Sequence, residues 1–276
     1  MRAAAGKLNR KSKTATALAA FFCLTGSDGV AADIDALYRS DAIVTGTGEI
    51  NRQIGFRECL REVLVKLSGD PTITDTPGFA AADAKAGSFV ASYSYRDRLE
   101  GIPIHDEQGT HDLICRYRPA ALDPLLKELG RKPWLSPRPG IAMWLAVKDQ
   151  TRRFVLTRDG SDSPYMVDAL EAAAGPHALS AVLPDAAAVI ARKPVLDPLP
   201  EADPAQLFPF VTRTDSDVPL IGTLVWSDQA RGWIARWQMD AGGRRYRWRL
   251  SGVSFDDAFR NAMRGAARIL SGNGAP

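Results

Sequence analysis

Histidine and cysteine are scarce in this 276-residue chain, three of each. No apolar run reaches the roughly 20 residues that cross a bilayer as a helix. There is no G-x-S-x-G elbow for a serine nucleophile and no Walker lysine. Gly46-Thr47-Gly48 stands before a helical pattern but lacks the third glycine of a dinucleotide loop, so it is read as the start of a helix. These absences remove the common nucleotide-binding and acyl-transfer classes, and no cofactor is expected.

What is present starts with an address. Arg2, Lys7, Arg10, Lys11 and Lys13 precede the apolar run Ala15 to Leu24, and Val30-Ala31-Ala32 supplies small residues at the spacing a signal peptidase needs. Residues 1–32 are therefore read as a signal peptide, with cleavage after Ala32 and a periplasmic mature chain. Phe21 and Phe22 occupy positions where a lipobox needs small residues, so Cys23 is no acylation site. Without the leader's five basic residues and Asp28, the 35 Lys/Arg and 32 Asp/Glu become 30 and 31. A mature net charge of about −1 removes the general support for nucleic-acid binding, and basic recognition must come from a local patch. Cys59 and Cys115 remain. Export favours a bridge between them, whereas helix-to-sheet spacing near 10 Å, against the ~7 Å Cα limit of a disulfide, favours two buried thiols.

The pattern predicts an α+β fold of two small mixed sheets, each backed by helices. An N-terminal domain at 33–131 and a C-terminal α/β domain at 141–270 flank a proline-rich linker at 132–140, and 271–276 reads as a loose tail. In the first domain a strand covers Leu37 to Thr45 and a helix Glu49 to Ser68. The helix's Phe56, Cys59, Leu60, Val63, Leu64 and Leu67 recur at three-and-four spacing, with Gly69 as its stop. A second helix is expected from Pro77 to Ala91, then a strand at Tyr93 and Tyr95, and a hairpin pairing Ile102-Pro103-Ile104 with Leu113 to Tyr117. In the second domain the apolar run Ile141 to Val147 reads as a buried strand. A meander of Leu220–Trp226, Trp233–Met239 and Arg244–Leu250 closes under a helix from Ser254 to Leu270.

Several stretches, Phe56 through Gly69, Tyr93-Ser94-Tyr95-Arg96, Ile102 through Thr110, Lys132-Pro133-Trp134 and Gly232 through Phe255, resemble the exported bacterial proteins grouped as domain of unknown function 2066, in their alphaproteobacterial form. That resemblance implies export and brings no catalytic residue. The element order from Ile141 to Leu270, with Gly222-Thr223-Leu224, is similar to the N-terminal domains of TolB and CsgG-like envelope proteins, which implies partner binding.

Two clusters carry candidate chemistry. His105, Asp106, His111 and Asp112 lie within eight residues across the expected hairpin turn, where they either hold a divalent metal or serve as turn residues whose carboxylates neutralise nearby arginines. In the meander, Arg245, Arg247 and Arg249 alternate with Tyr246, Trp248 and Leu250, and Arg236 stands between Ala235 and Trp237. Alternation sends aromatics under the closing helix and arginines to the other face, where they form a partner-binding stripe or a solvated surface. The resulting expectation is a non-enzymatic binding module of the cell envelope, recognising an envelope protein or an anionic envelope component. The alternative is a metal-dependent hydrolase acting at the His105/His111 hairpin.

Overall fold

The computed structural model describes residues 34–98, 109–160, 162–192 and 217–276. The chain divides into Met1–Ala31, outside the described residues together with the expected cleavage site, and the compact unit Ala32–Pro276. Within that unit the fold is α+β, with two sheets and two hydrophobic cores.

The first half runs α1 (Ile34–Leu37), β1 (Arg39–Thr45), α2 (Glu49–Ser68), α3 (Phe79–Ala84), β2 (Val90–Asp97), β3 (Thr110–Tyr117) and α4 (Pro119–Glu128). α2 has the expected bounds, and its six apolar positions from Phe56 to Leu67 are all buried. They pack with Leu113, Cys115, Leu122 and Leu126 in one core. The helix expected over Pro77–Ala91 is broken: 3₁₀ turns at Pro71–Asp75 and Ala86–Phe89 flank the short α3. Gly87 is packed on the Phe56 ring, and an added Cβ there would come within 3.0 Å of it. The sheet order is β1-β3-β2, antiparallel throughout rather than mixed. Ile102-Pro103-Ile104, the partner expected for β3, lies outside the described residues, and β3 is central. It pairs with β2, Tyr95 opposite Leu113 and Arg96 opposite Asp112. This register turns Leu113 and Cys115 toward α2, which a shift by one residue would reverse.

The second half runs β4 (Gly140–Lys148), β5 (Arg153–Val155), α5 (Pro164–Ala174), β6 (Ser180–Val182), α6 (Ala186–Arg192), β7 (Val218–Ser227), β8 (Gly232–Ala241), β9 (Arg244–Val253) and α7 (Phe255–Leu270). Its six-stranded sheet is mixed, in the order β5-β4-β7-β8-β9 with β6 also on β4; β4 is parallel to β6 and β7. Ser254 starts α7, its hydroxyl accepting from the Asp257 amide at 3.1 Å. Ala258, Phe259, Ala262, Met263 and Ala266 of α7 are fully buried over Trp233, Ala235, Trp237 and Met239 of β8. Trp237 lies so close to Gly222 of β7 that no Cβ fits there.

The halves are sealed at the C-terminus of α2. A helix leaves its last carbonyls without internal partners, and here remote segments supply donors. Gly69, at φ 67°, donates its amide to Val65. The Trp134 amide donates to Leu67 O at 2.7 Å, and the Arg138 guanidinium to Lys66 O at 2.8 Å and to His177 O. The Asn273 amide group donates to Ser68 O at 2.8 Å and the Ser271 hydroxyl to Gly69 O at 3.4 Å. Residues 132–140 therefore act as a bonded strap, with Arg138 stacked on Trp134 at 4.2 Å. The start of the segment expected as a loose tail is fixed by its two bonds to α2's end.

Candidate functional site

The arginine face is built by the β8–β9 ladder. Asp240 lies opposite Arg245, Gln238 opposite Arg247 and Arg236 opposite Arg249, so three consecutive same-face rungs bring all four predicted arginines together. All four are exposed. The intervening Tyr246, Trp248 and Leu250 pack toward the α7 core. The rungs differ in chemistry. Arg245 makes a two-pronged bond to Asp240, 2.9 Å at each contact. Arg247 donates through Nε to Gln238 Oε1 at 2.8 Å, which fixes its side chain without neutralising it. Arg236 and Arg249 face each other as like charges, an unfavourable cross-strand pair. Neither has a carboxylate partner among the described residues. The unneutralised part of the stripe is therefore Arg236, Arg247 and Arg249, held on a rigid sheet.

The hairpin cluster is only partly described: His105 and Asp106 lie outside the described residues. His111 places Nδ1 2.7 Å from Gly109 O, and the neighbouring Asp112 side chain points to the other face of β3. Asp112 is buried and already committed to two cations: Arg96 donates to it at 2.6 Å, and Arg98 lies 3.5 Å away. Among the described residues no three His, Cys, Asp or Glu side chains converge as a metal site requires. Cys59 and Cys115 are both free and buried. Cys59 Sγ lies 3.6 Å from Leu113 O and 3.8 Å from Ser40 O. Its contact with the Cys115 thiol, together with burial, pushes the Cys59 thiol far above its ordinary range, the reverse of what a nucleophile needs.

Sequence reading missed a third group, on α2 beside the strap. Burial, reinforced by Asp41 and Glu58 and opposed by Lys66, pushes Glu62 up to about 7. Burial draws Lys66 down, and its ammonium donates to Arg39 O at 2.6 Å. Burial likewise brings Arg138 down to about 10. Glu62 and Lys66 lie outside the apolar stripe of α2, and the leading cause of both displacements is burial, which the stripe's spacing does not reveal.

No helix among the described residues is long and apolar enough to cross a membrane. A family profile described as Domain of unknown function (DUF8605) matches residues 31–135. No curated protein and no solved structure matches the chain. The first half thus contains a domain of unknown function, and the matched profile is not that of the family resembled at the level of motifs.

Proposed function

We propose that the mature protein is an exported, non-enzymatic binding module of the cell envelope, and that the β8–β9 arginine face attaches it to an anionic envelope surface. The observation that carries this reading is the Arg236/Arg249 rung beside Arg247: three exposed guanidiniums on one flat face, with a like-charge pair that an anionic partner would relieve. Against a mature net charge near −1, this cluster supplies long-range attraction that the whole-molecule charge does not. Export after Ala32 is supported by the leader's charge and apolar pattern. The resemblance to envelope domains points the same way. The hydrolase reading is disfavoured because Asp112 is spent on Arg96 and Arg98.

Co-sedimentation of the mature protein with phosphatidylglycerol-containing vesicles and with pure phosphatidylcholine vesicles tests the attachment. Retention on the anionic vesicles alone is expected, and equal behaviour on both would refute it. For export, N-terminal sequencing of the protein from the periplasmic fraction should start at Asp33. An intact Met1 on cytoplasmic protein would overturn that part.

A further inference from the structure

His177 sits in a 3₁₀ turn at the end of α5 and is only 5% exposed. Its Nδ1 is buried with no hydrogen-bond partner. A buried polar atom without a partner calls for a reason, and a bound water or ion is one. His177 lines a cavity of about 120 Å³ between α5 and α7, bounded also by Ala169, Ala173, Asp256, Arg260 and Arg264.

Two charges around this cavity, Arg264 and Asp256, have no ionic partner among the described residues. Arg260 is paired with Asp257 at 2.7 Å, but Arg264, one turn further along α7, has no carboxylate partner among the described residues. Asp256 adds one negative charge to the wall. The charges acting on the imidazole are all cationic and come from three elements: Arg264 of α7, Arg138 of the strap and Lys66 of α2. Burial comes first and these cations second in lowering His177 to about 4, so the ring is neutral at physiological pH. The volume corresponds to about four waters, well below the roughly 300 Å³ at which drug-sized ligand pockets begin, and suits one compact charged group.

We propose that this cavity is an anion subsite taking a single phosphate or carboxylate group, bound by the Arg264 guanidinium with the His177 imidazole as a second polar contact. The site is separate from the β8–β9 arginine face and goes beyond the attachment proposed for it. A guanidinium fork matches the paired oxygens of either group. A negative charge entering beside the ring would offset the field of Arg264, Arg138 and Lys66, so occupancy should raise the ring's affinity for a proton.

The test follows the imidazole directly, by long-range ¹H–¹⁵N spectra of the full mature protein titrated with inorganic phosphate and, separately, with acetate. Saturable movement of the His177 ring signals by either probe is expected, with the tighter probe identifying the preferred group, and with a titration midpoint higher in the bound form. Arg264→Ala should weaken that probe at least tenfold, and Arg264→Lys, which keeps the charge but not the fork, should weaken it less. Because Arg264 is exposed, both variants should stay folded, as their unchanged amide spectra would show. Ring signals that do not respond saturably to either anion, or an affinity unchanged in Arg264→Ala, would overturn the assignment.

Discussion

At the scale of single residues, burial decides which polar and apolar groups matter. Leu64 is fully buried in the first core, whereas Glu58 on the same helix is exposed. Leu64→Asp should cost roughly 3–5 kcal/mol, because it strands a charge with no partner, and Glu58→Ala should change little. Chemical denaturation of the two variants checks this, and equal midpoints would contradict the assigned face. Glu62 gives a pH signature. Its folded pKa, about 7, lies above its ordinary value of 4.5. The folded state therefore holds the proton more tightly, and Glu62's contribution to stability declines as pH rises from about 4.5 to about 7. Glu62→Gln removes that ionisation. Relative to the parent it should gain about 2 kcal/mol at pH 8, allowing for partial solvent screening, and nothing at pH 4. His177 titrates in the opposite sense, since a lowered base loses stability as pH falls from 6.5 toward about 4. The comparison must therefore be made between parent and variant at each pH.

At the scale of elements, the sequence was most legible where the determining contacts repeat locally. The apolar stripes of α2 and α7 recur every three or four residues, and both helices bury the residues that spacing selects. The β7–β9 meander was legible because short turns and strict alternation fix its register. Two features were not. The partner of β3 depends on which distant strand offers a matching face, and β1 and β2 occupy its two edges. The seal on α2 uses donors from Trp134, Arg138, Ser271 and Asn273, which no local pattern links to Lys66, Leu67, Ser68 or Gly69. This seal makes a prediction at its own scale. Arg138→Ala removes a charged donor from three carbonyls and should cost roughly 2–3 kcal/mol. Deleting residues 272–276 removes the Asn273 bond and should cost about 1 kcal/mol. Thermal denaturation distinguishes this from a loose tail, whose removal would leave Tm unchanged.

At the scale of the whole molecule, the mature chain proposed here would be close to neutral, with positive charge concentrated on the β8–β9 face. The arginine stripe was visible in the sequence as alternation, but its division into a neutralised rung and two active ones was not, because Asp240 and Gln238 are assigned to Arg245 and Arg247 only by register. On the proposed function, Arg236, Arg247 and Arg249 carry attachment to an anionic surface. Solvated arginines contribute little to folding, so changing all three to Ser should leave the denaturation midpoint nearly unchanged. Attraction of this kind falls with salt as the Debye length contracts to about 8 Å at physiological ionic strength. The most direct measurement is retention of the mature protein on isolated envelope membranes at low and at physiological salt, for the parent and the triple Ser variant side by side. Attachment through this stripe predicts strong retention of the parent at low salt, reduced retention at physiological salt, and little retention of the variant at either. Equal retention of the two proteins, insensitive to salt, would contradict it.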